Sequence, residues 1–173
     1  RRCSTYEQHM RESIAGFDAL YARVASSLPE LGEQPRILDL GVGTGLELDP
    51  VFDRYPTAQV TAIDLSQGML DRLARKKRPW IDRVHRVHGS FLDIDLGDAQ
   101  YNAVISVMAL HHWIPDVKRD LYRRIHRALV AGGSFVNADY VEASSVSAAR
   151  LAAYECGGHP ERHHRHIDLP LPP

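Results

Sequence analysis

The chain has 173 residues, 44% of them hydrophobic and 25% charged, a balance that supports one domain around a single core and excludes an intrinsically disordered chain. With 21 Lys and Arg against 22 Asp and Glu, the formal charge of −1 excludes a global pull toward nucleic acid or anionic membrane. The longest apolar stretches, such as Val107-Met108-Ala109-Leu110, fall far short of the roughly 20 residues that span a bilayer, and Cys3 and Cys156 stand in no metal-ligand spacing, so a reducing cytoplasm with no membrane contact is expected.

Ile14, Phe17, Tyr21, Val24 and Leu28 recur at three- and four-residue steps and predict an amphipathic leading helix that stops at Pro29. Ile37-Leu38-Asp39-Leu40 reads as a buried strand running into the turn Gly41-Val42-Gly43-Thr44-Gly45. Leu46, Leu48, Val51, Phe52 and Tyr55 predict the next helix, halted by Pro56. The alternation then repeats. Residues 59–63 form a second strand, followed by a helix N-capped by Ser66 with Met69, Leu70 and Leu73 inward. Residues 83–87 predict a third strand and 102–107 a fourth, the most apolar. A helix from about Pro115 turns Val117, Leu121, Ile125 and Leu129 inward, Gly132-Gly133 caps it, and 134–138 is the fifth strand. Strands alternating with helices imply right-handed crossovers and a doubly wound, Rossmann-like α/β fold whose mostly parallel sheet is covered on both faces. The expected regions are an N-terminal helical cap (1–33), the core (34–140) and a partial C-terminal helix and substrate-side segment (141–173).

Folds of this kind bind ligands at the C-terminal ends of their strands. Dinucleotide folds space their glycines G-x-G-x-x-G around a pyrophosphate, but from Gly41 the third such position falls on Leu46, and the third glycine here is Gly45. Asp39 just below the turn would repel a pyrophosphate and suits a ligand carrying an ammonium and a sulfonium, as S-adenosylmethionine does; alternatively, it hydrogen-bonds the turn amides. Asp64 closes the second strand, where a carboxylate can accept both ribose hydroxyls or complement the dipole of the helix that opens at Ser66.

The strings ILDLGVGTG (37–45), VTAIDLSQGML (60–70), YNAVISVMALHHW (101–113) and LYRRIHRALVAGGSFV (121–136) resemble, in order, the successive motifs of class I S-adenosylmethionine-dependent methyltransferases. The resemblance implies that Gly41, Gly43, Thr44 and Gly45 line the cofactor, that Asp39 faces its amino end, that Asp64 binds its ribose, and that Leu65 and Met69 pack on adenine. Ser106 on the fourth strand is counted with them. Relatives place an acidic residue and then an apolar one after the third strand; Ser90-Phe91 stands there in this chain, and Asn102 stands where many have Asp. The leading segment 13–21 is similar to the N-terminal helix of a subgroup labelled tRNA wobble-uridine modification methyltransferases. In that subgroup the helix covers the methionine end of the cofactor, which implies a lid role for Phe17 and Tyr21; core aromatics are the alternative.

His111 and His112 follow the fourth strand, on the loop that in such folds faces the transferred methyl. A neutral imidazole there can take a proton from an attacking hydroxyl or amine, or it can simply hold the loop. The cluster His159, His163, His164 and His166 lacks a regular ligand spacing, so no metal is expected. Arg72, Arg75, Lys76, Lys77 and Arg78 crowd the end of the second core helix, where cations complement the dipole. The chain opens on Arg1-Arg2 and ends before the two strands that usually close such sheets, which reads either as a trimmed piece of a longer protein or as a divergent end. Together these readings describe a methyltransferase acting on an O, N or C nucleophile of a small-molecule acceptor, with association as a homodimer left open. The alternatives are a tRNA-modifying enzyme, a carboxy-S-adenosylmethionine synthase, whose turn reads closer to G-C-S-L-G, and a non-catalytic cofactor-binding module.

Overall fold

The structure, a computed structural model, describes residues 17–139 together with Glu7, Gln8 and Arg11. In chain order it holds α1 (Phe17–Ser27), β1 (Arg36–Leu40), α2 (Leu48–Arg54), β2 (Gln59–Asp64), α3 (Gln67–Ala74), β3 (Val84–His88), β4 (Tyr101–Val107), α4 (Pro115–Ala128) and β5 (Leu129–Ala138). All neighbouring strands run parallel, in the order β3-β2-β1-β4-β5. The doubly wound α/β expectation is met. The chain steps outward from β1 to β3, then returns to the other side of β1 to lay down β4 and β5. The topological switch point is therefore the crevice beyond the C-terminal ends of β1 and β4, where such sheets bind ligands.

The central strands β1 and β4 are buried on both faces, which explains why they lack a polar alternation. Ile37, Ala62 and Ile105 point into one apolar cluster with Val24 of α1, Val51 of α2 and Leu73 of α3. Leu38, Leu40, Ile63 and Val104 point into the other, against Leu121 and Ile125 of α4. Asp39 shares the face of Ile37, so its carboxyl is carried among apolar side chains.

One boundary differs from the sequence expectation. Gly132-Gly133 does not cap α4, which ends at Ala128 because Leu129 is already extended at φ −76°, ψ 140°. The glycines lie inside β5, where the pairing slips from Tyr101–Leu129 to Ala103–Ser134; Gly132, at φ +77°, lets the extra residues loop out of the ladder. The expected helix at 147–154, the histidines from 159 onward and the part of the expected cap before Phe17, apart from Glu7, Gln8 and Arg11, lie outside the described residues. Among the described residues no helix is long and apolar enough to cross a membrane, and no group of His, Cys, Asp and Glu is arranged to hold a metal.

Candidate cofactor and methyl-transfer site

β1 ends at Leu40 and the glycine turn begins at once. The Gly41 and Val42 amides both donate to the Ile63 carbonyl, at 2.8 and 3.2 Å, so the turn is tied to the end of β2. At Gly41, φ is +82° and a Cβ would lie 2.5 Å from the Cβ of Ala109, which makes this the point where the turn touches the loop after β4. Gly43, at φ +54°, meets nothing nearer than the Gly41 carbonyl oxygen at 4.0 Å, so the open side of the turn is here. The Cβ side of Gly45 faces Leu48 and Leu73. All three glycines were expected to line a cofactor; the Cβ sides of Gly41 and Gly45 face protein.

Asp64 accepts the Gly43 amide on Oδ2 and the Ser66 amide on Oδ1, each at 2.7 Å. It thus clasps the turn to the start of α3, and Ser66 holds the N-cap position without a side-chain cap bond. Each carboxylate oxygen has a second lone pair, so the clasp leaves acceptor capacity for a ribose hydroxyl. The alternative reading of Asp39, bonding to the turn amides, falls to Asp64 instead. Asp39 is fully buried, and neither of its oxygens meets an N–H or hydroxyl donor among the described residues. It faces the carboxyl of Glu47, itself buried at the N-cap of α2. Burial, then the charge and hydrogen bonding of Glu47, then the charge of Asp64 raise the Asp39 carboxyl well above the usual carboxylate range. Burial, aided by the charge of Asp64, likewise pushes Glu47 up to about 7, against the lowering influence of Asp39 and Lys76.

Leu65 is 69% exposed at the end of β2, an apolar side chain with its face open, and Met69 is half-buried on the first turn of α3. Ser90 uses its hydroxyl oxygen to accept the Leu92 amide at 3.2 Å, while Phe91 is buried against the second cluster. Thr44 is buried and donates to Glu7 at 2.6 Å; Glu7 also lies 3.4 Å from Lys76 Nζ. Through Glu7 the N-terminal segment thus touches the glycine turn. Two expectations change. Ser106 is fully buried and donates to the Leu40 carbonyl at 2.9 Å, so it stitches β4 to β1 and does not line the crevice. Tyr21 packs edge-on against Phe17 at 4.8 Å inside the first cluster, as a core aromatic.

Beyond β4 the backbone turns at Met108, whose φ of +54° is rare for a side chain of that size, and its amide donates to the Ala138 carbonyl at 2.8 Å. A short 3-10 turn, Leu110–His112, follows. His111 is half-buried and His112 exposed, with ring centroids 3.9 Å apart. His111 Nδ1 lies 2.6 Å from Oδ1 of Asp139, a buried residue one past the end of β5. Sequence reasoning missed Asp139, Glu47 and Glu7. Only the register of β4 against β5, which sets Val107 beside Ala138, brings Asp139 to His111. Of the basic run, Arg78 pairs with Asp49 at 2.8 Å and Lys76 with Glu7.

The sequence profile of the methyltransferase-domain family matches residues 37–133, the turn, the crevice and the histidine loop included. The chain is 34% identical over 113 residues to a malonyl-[acyl-carrier protein] O-methyltransferase of Xylella fastidiosa, covering 64% of this chain and 37% of that one. To a trans-aconitate 2-methyltransferase of Streptomyces avermitilis it is 33% identical over 120 residues, covering 65% and 40%. Among solved structures, the CcbJ methyltransferase of Streptomyces caelestis superimposes with a TM-score of 0.57 at 29% identity, over 70% of this chain and 49% of that one. The chain spans less than half the length of the curated relatives it matches. With the family profile laid over the switch-point crevice and its glycine turn, the chain belongs to the class I S-adenosylmethionine-dependent methyltransferases.

Proposed function

We propose that the chain binds S-adenosylmethionine across the ends of β1, β2 and β4 and moves its methyl group to an O, N or C nucleophile of a small-molecule acceptor, leaving S-adenosylhomocysteine. The observation that carries the reading is the buried pair of carboxyls beneath the glycine turn, Asp39 facing Glu47 with no N–H donor to Asp39 from the described residues. Two buried carboxyls that face each other are costly to ionise, and a cationic amino-acid end beside the turn relieves that cost where a pyrophosphate would add to it. The remaining assignments follow the same crevice. Asp64 accepts from the ribose with the lone pairs its clasp leaves, Leu65 and Met69 hold the adenine, and Ser90 and Phe91 stand at its far edge. Thr44 and the Gly43 amide close the turn.

The bound cofactor supplies an electrophilic methyl on sulfur; the chain supplies position and the handling of one proton. Aligning the acceptor in line with the methyl provides much of the acceleration. For a hydroxyl or amine acceptor, His111 takes the proton. The relatives named for malonyl-[acyl-carrier protein] and trans-aconitate favour a small acid as the acceptor. The internal pairing of Lys76 and Arg78 supports a small molecule over tRNA, and a cytoplasmic setting goes with this reading.

Isothermal titration of the chain with S-adenosylmethionine, S-adenosylhomocysteine and NAD tests the cofactor, with the first two binding and the third silent. NAD binding without either of the others overturns the reading. Methyl transfer is then measured against trans-aconitate and a malonyl thioester.

A further inference from the structure

We propose that Asp139 is a positioning residue for methyl transfer, fixing both the loop that carries His111 and the tautomer of its ring. The inference deepens the reading of His111 as the base and rests on it for its catalytic consequence, though not for its structural content.

β4 and β5 are parallel neighbours with Val107 beside Ala138, so the chain leaves both strands at the same edge of the crevice. Asp139 stands at that edge and is buried. Its Oδ2 accepts two backbone amides of the histidine loop, Leu110 at 2.6 Å and His111 at 2.8 Å, while Oδ1 meets His111 Nδ1 at 2.6 Å. The Met108 amide, bonded to the Ala138 carbonyl, pins the start of the same loop to the same strand end. Anchoring the loop needs only the backbone bonds. The ring bond adds a chemical constraint, because a carboxylate oxygen only accepts: Nδ1 must carry the hydrogen, and the neutral ring then has its lone pair on Nε2. A carboxylate so placed also stabilises the ring once it has gained a proton, as the third member of a hydrolase triad does. Among the described residues, titratable groups beside this pair include His112, whose ring lies against that of His111, and Tyr122 of α4, whose hydroxyl is raised first by burial and then by the charge of Asp139.

The test is long-range 1H–15N NMR of the full chain with ring-labelled histidine and S-adenosylhomocysteine, at an alkaline pH where imidazoles are neutral. The wild-type His111 ring should show protonated Nδ1 and bare Nε2. Asp139→Asn keeps a carbonyl for the backbone amides but turns an NH2 donor toward Nδ1, so the ring should flip to the Nε2–H tautomer. With a protic acceptor, kcat should fall to within a few-fold of that of His111→Gln while the Kd for S-adenosylmethionine stays within twofold, and Asp139→Glu should recover part of the loss. An Nε2–H tautomer in the wild type overturns the proposal without any variant, and an unflipped ring in Asp139→Asn does the same. If the ring flips as expected but His111→Gln keeps full rate, the base reading fails and the tautomer assignment stands.

Discussion

Asp64 holds Gly43 across the glycine turn: its Oδ2 accepts the Gly43 amide at 2.7 Å while Oδ1 accepts that of Ser66 at the same distance. The residue assigned to the ribose is thus also the clasp that shapes the turn around the ligand, and its two roles must move together on mutation. Charge-assisted bonds of this length contribute more than neutral ones, and losing the acceptor leaves two amides without a partner.

Asp64→Ala is therefore expected to lower the stability of the ligand-free chain by about 1–3 kcal/mol and to weaken S-adenosylmethionine binding at least tenfold. Asp64→Asn, which keeps one acceptor oxygen, should fall between wild type and Ala on both measures. Thermal melts and isothermal titrations of the same preparations check this. A variant that loses affinity with an unchanged melting temperature would reduce Asp64 to a ligand contact alone.

The strand and helix order was legible because periodicity and punctuation agreed: Ile37 to Leu40 led straight into glycines, and Pro29 and Pro56 marked stops. Asp39 and Asp64 stood out as candidate residues for their place near strand ends. What could not be read was pairing across the sheet. Nothing local in Asn137-Ala138-Asp139 marks Asp139 as a partner of His111, since the register that joins them is a long-range property. Glu47 looks like an ordinary helix-start acid until the fold buries it against Asp39. Ser106, counted with the cofactor residues on the resemblance, has its hydroxyl turned to the Leu40 carbonyl, a cross-strand contact no local pattern announces. Gly132-Gly133 resembled a helix cap because a cap and a bulge both call for positive φ.

The Asp39–Glu47 pair makes the ligand-free chain sensitive to pH. Glu47 is raised from its ordinary 4.5 to about 7, so between those values the folded chain holds a proton that the unfolded chain has released. Stability therefore falls as pH climbs through that window, and Asp39 is shifted in the same direction. Glu47→Gln removes one of the two charges at constant shape. It should flatten the slope between pH 5 and 8 and make the variant more stable than wild type at pH 8, on the order of 2–3 kcal/mol. A cation beside Asp39 relieves the same repulsion, so saturating S-adenosylmethionine should raise the melting temperature more at pH 8 than at pH 6. Parallel pH profiles for wild type and Glu47→Gln would show that the pair does not titrate in this range.

The glycine turn offers a contrast between two substitutions that look alike in sequence. Gly41→Ala places a methyl 2.5 Å from the Cβ of Ala109 at φ +82°, and neither backbone can yield freely, so a loss of about 2–5 kcal/mol is expected. Gly43→Ala meets open space and carries only the left-handed strain, about 1–2 kcal/mol. Its methyl enters the side of the turn assigned to the ligand, so S-adenosylmethionine affinity should drop by more than tenfold in a chain that still folds. Tight binding by a folded Gly43→Ala would move the ligand away from this face.

The last prediction separates the two histidines. His111 is half-buried and held through Nδ1 and its own amide by Asp139, whereas His112 is exposed. Proton transfer in a methyl-transfer transition state needs a ring of fixed orientation, a condition Asp139 sets for His111. With a hydroxyl or amine acceptor, His111→Gln should slow the single-turnover rate by roughly a hundredfold, while the Kd for S-adenosylmethionine stays within twofold. His112→Gln should keep most of the rate under the same conditions. An acid such as trans-aconitate is already nucleophilic at neutral pH and needs positioning alone, so with that acceptor His111→Gln should cost much less than with a protic one. Rate measurements on both variants with both classes of acceptor, from pH 5.5 to 8.5, decide the matter. An equal loss for protic and ionised acceptors would make His111 an anchor of the loop, and a larger loss in His112→Gln would assign the proton to the exposed ring.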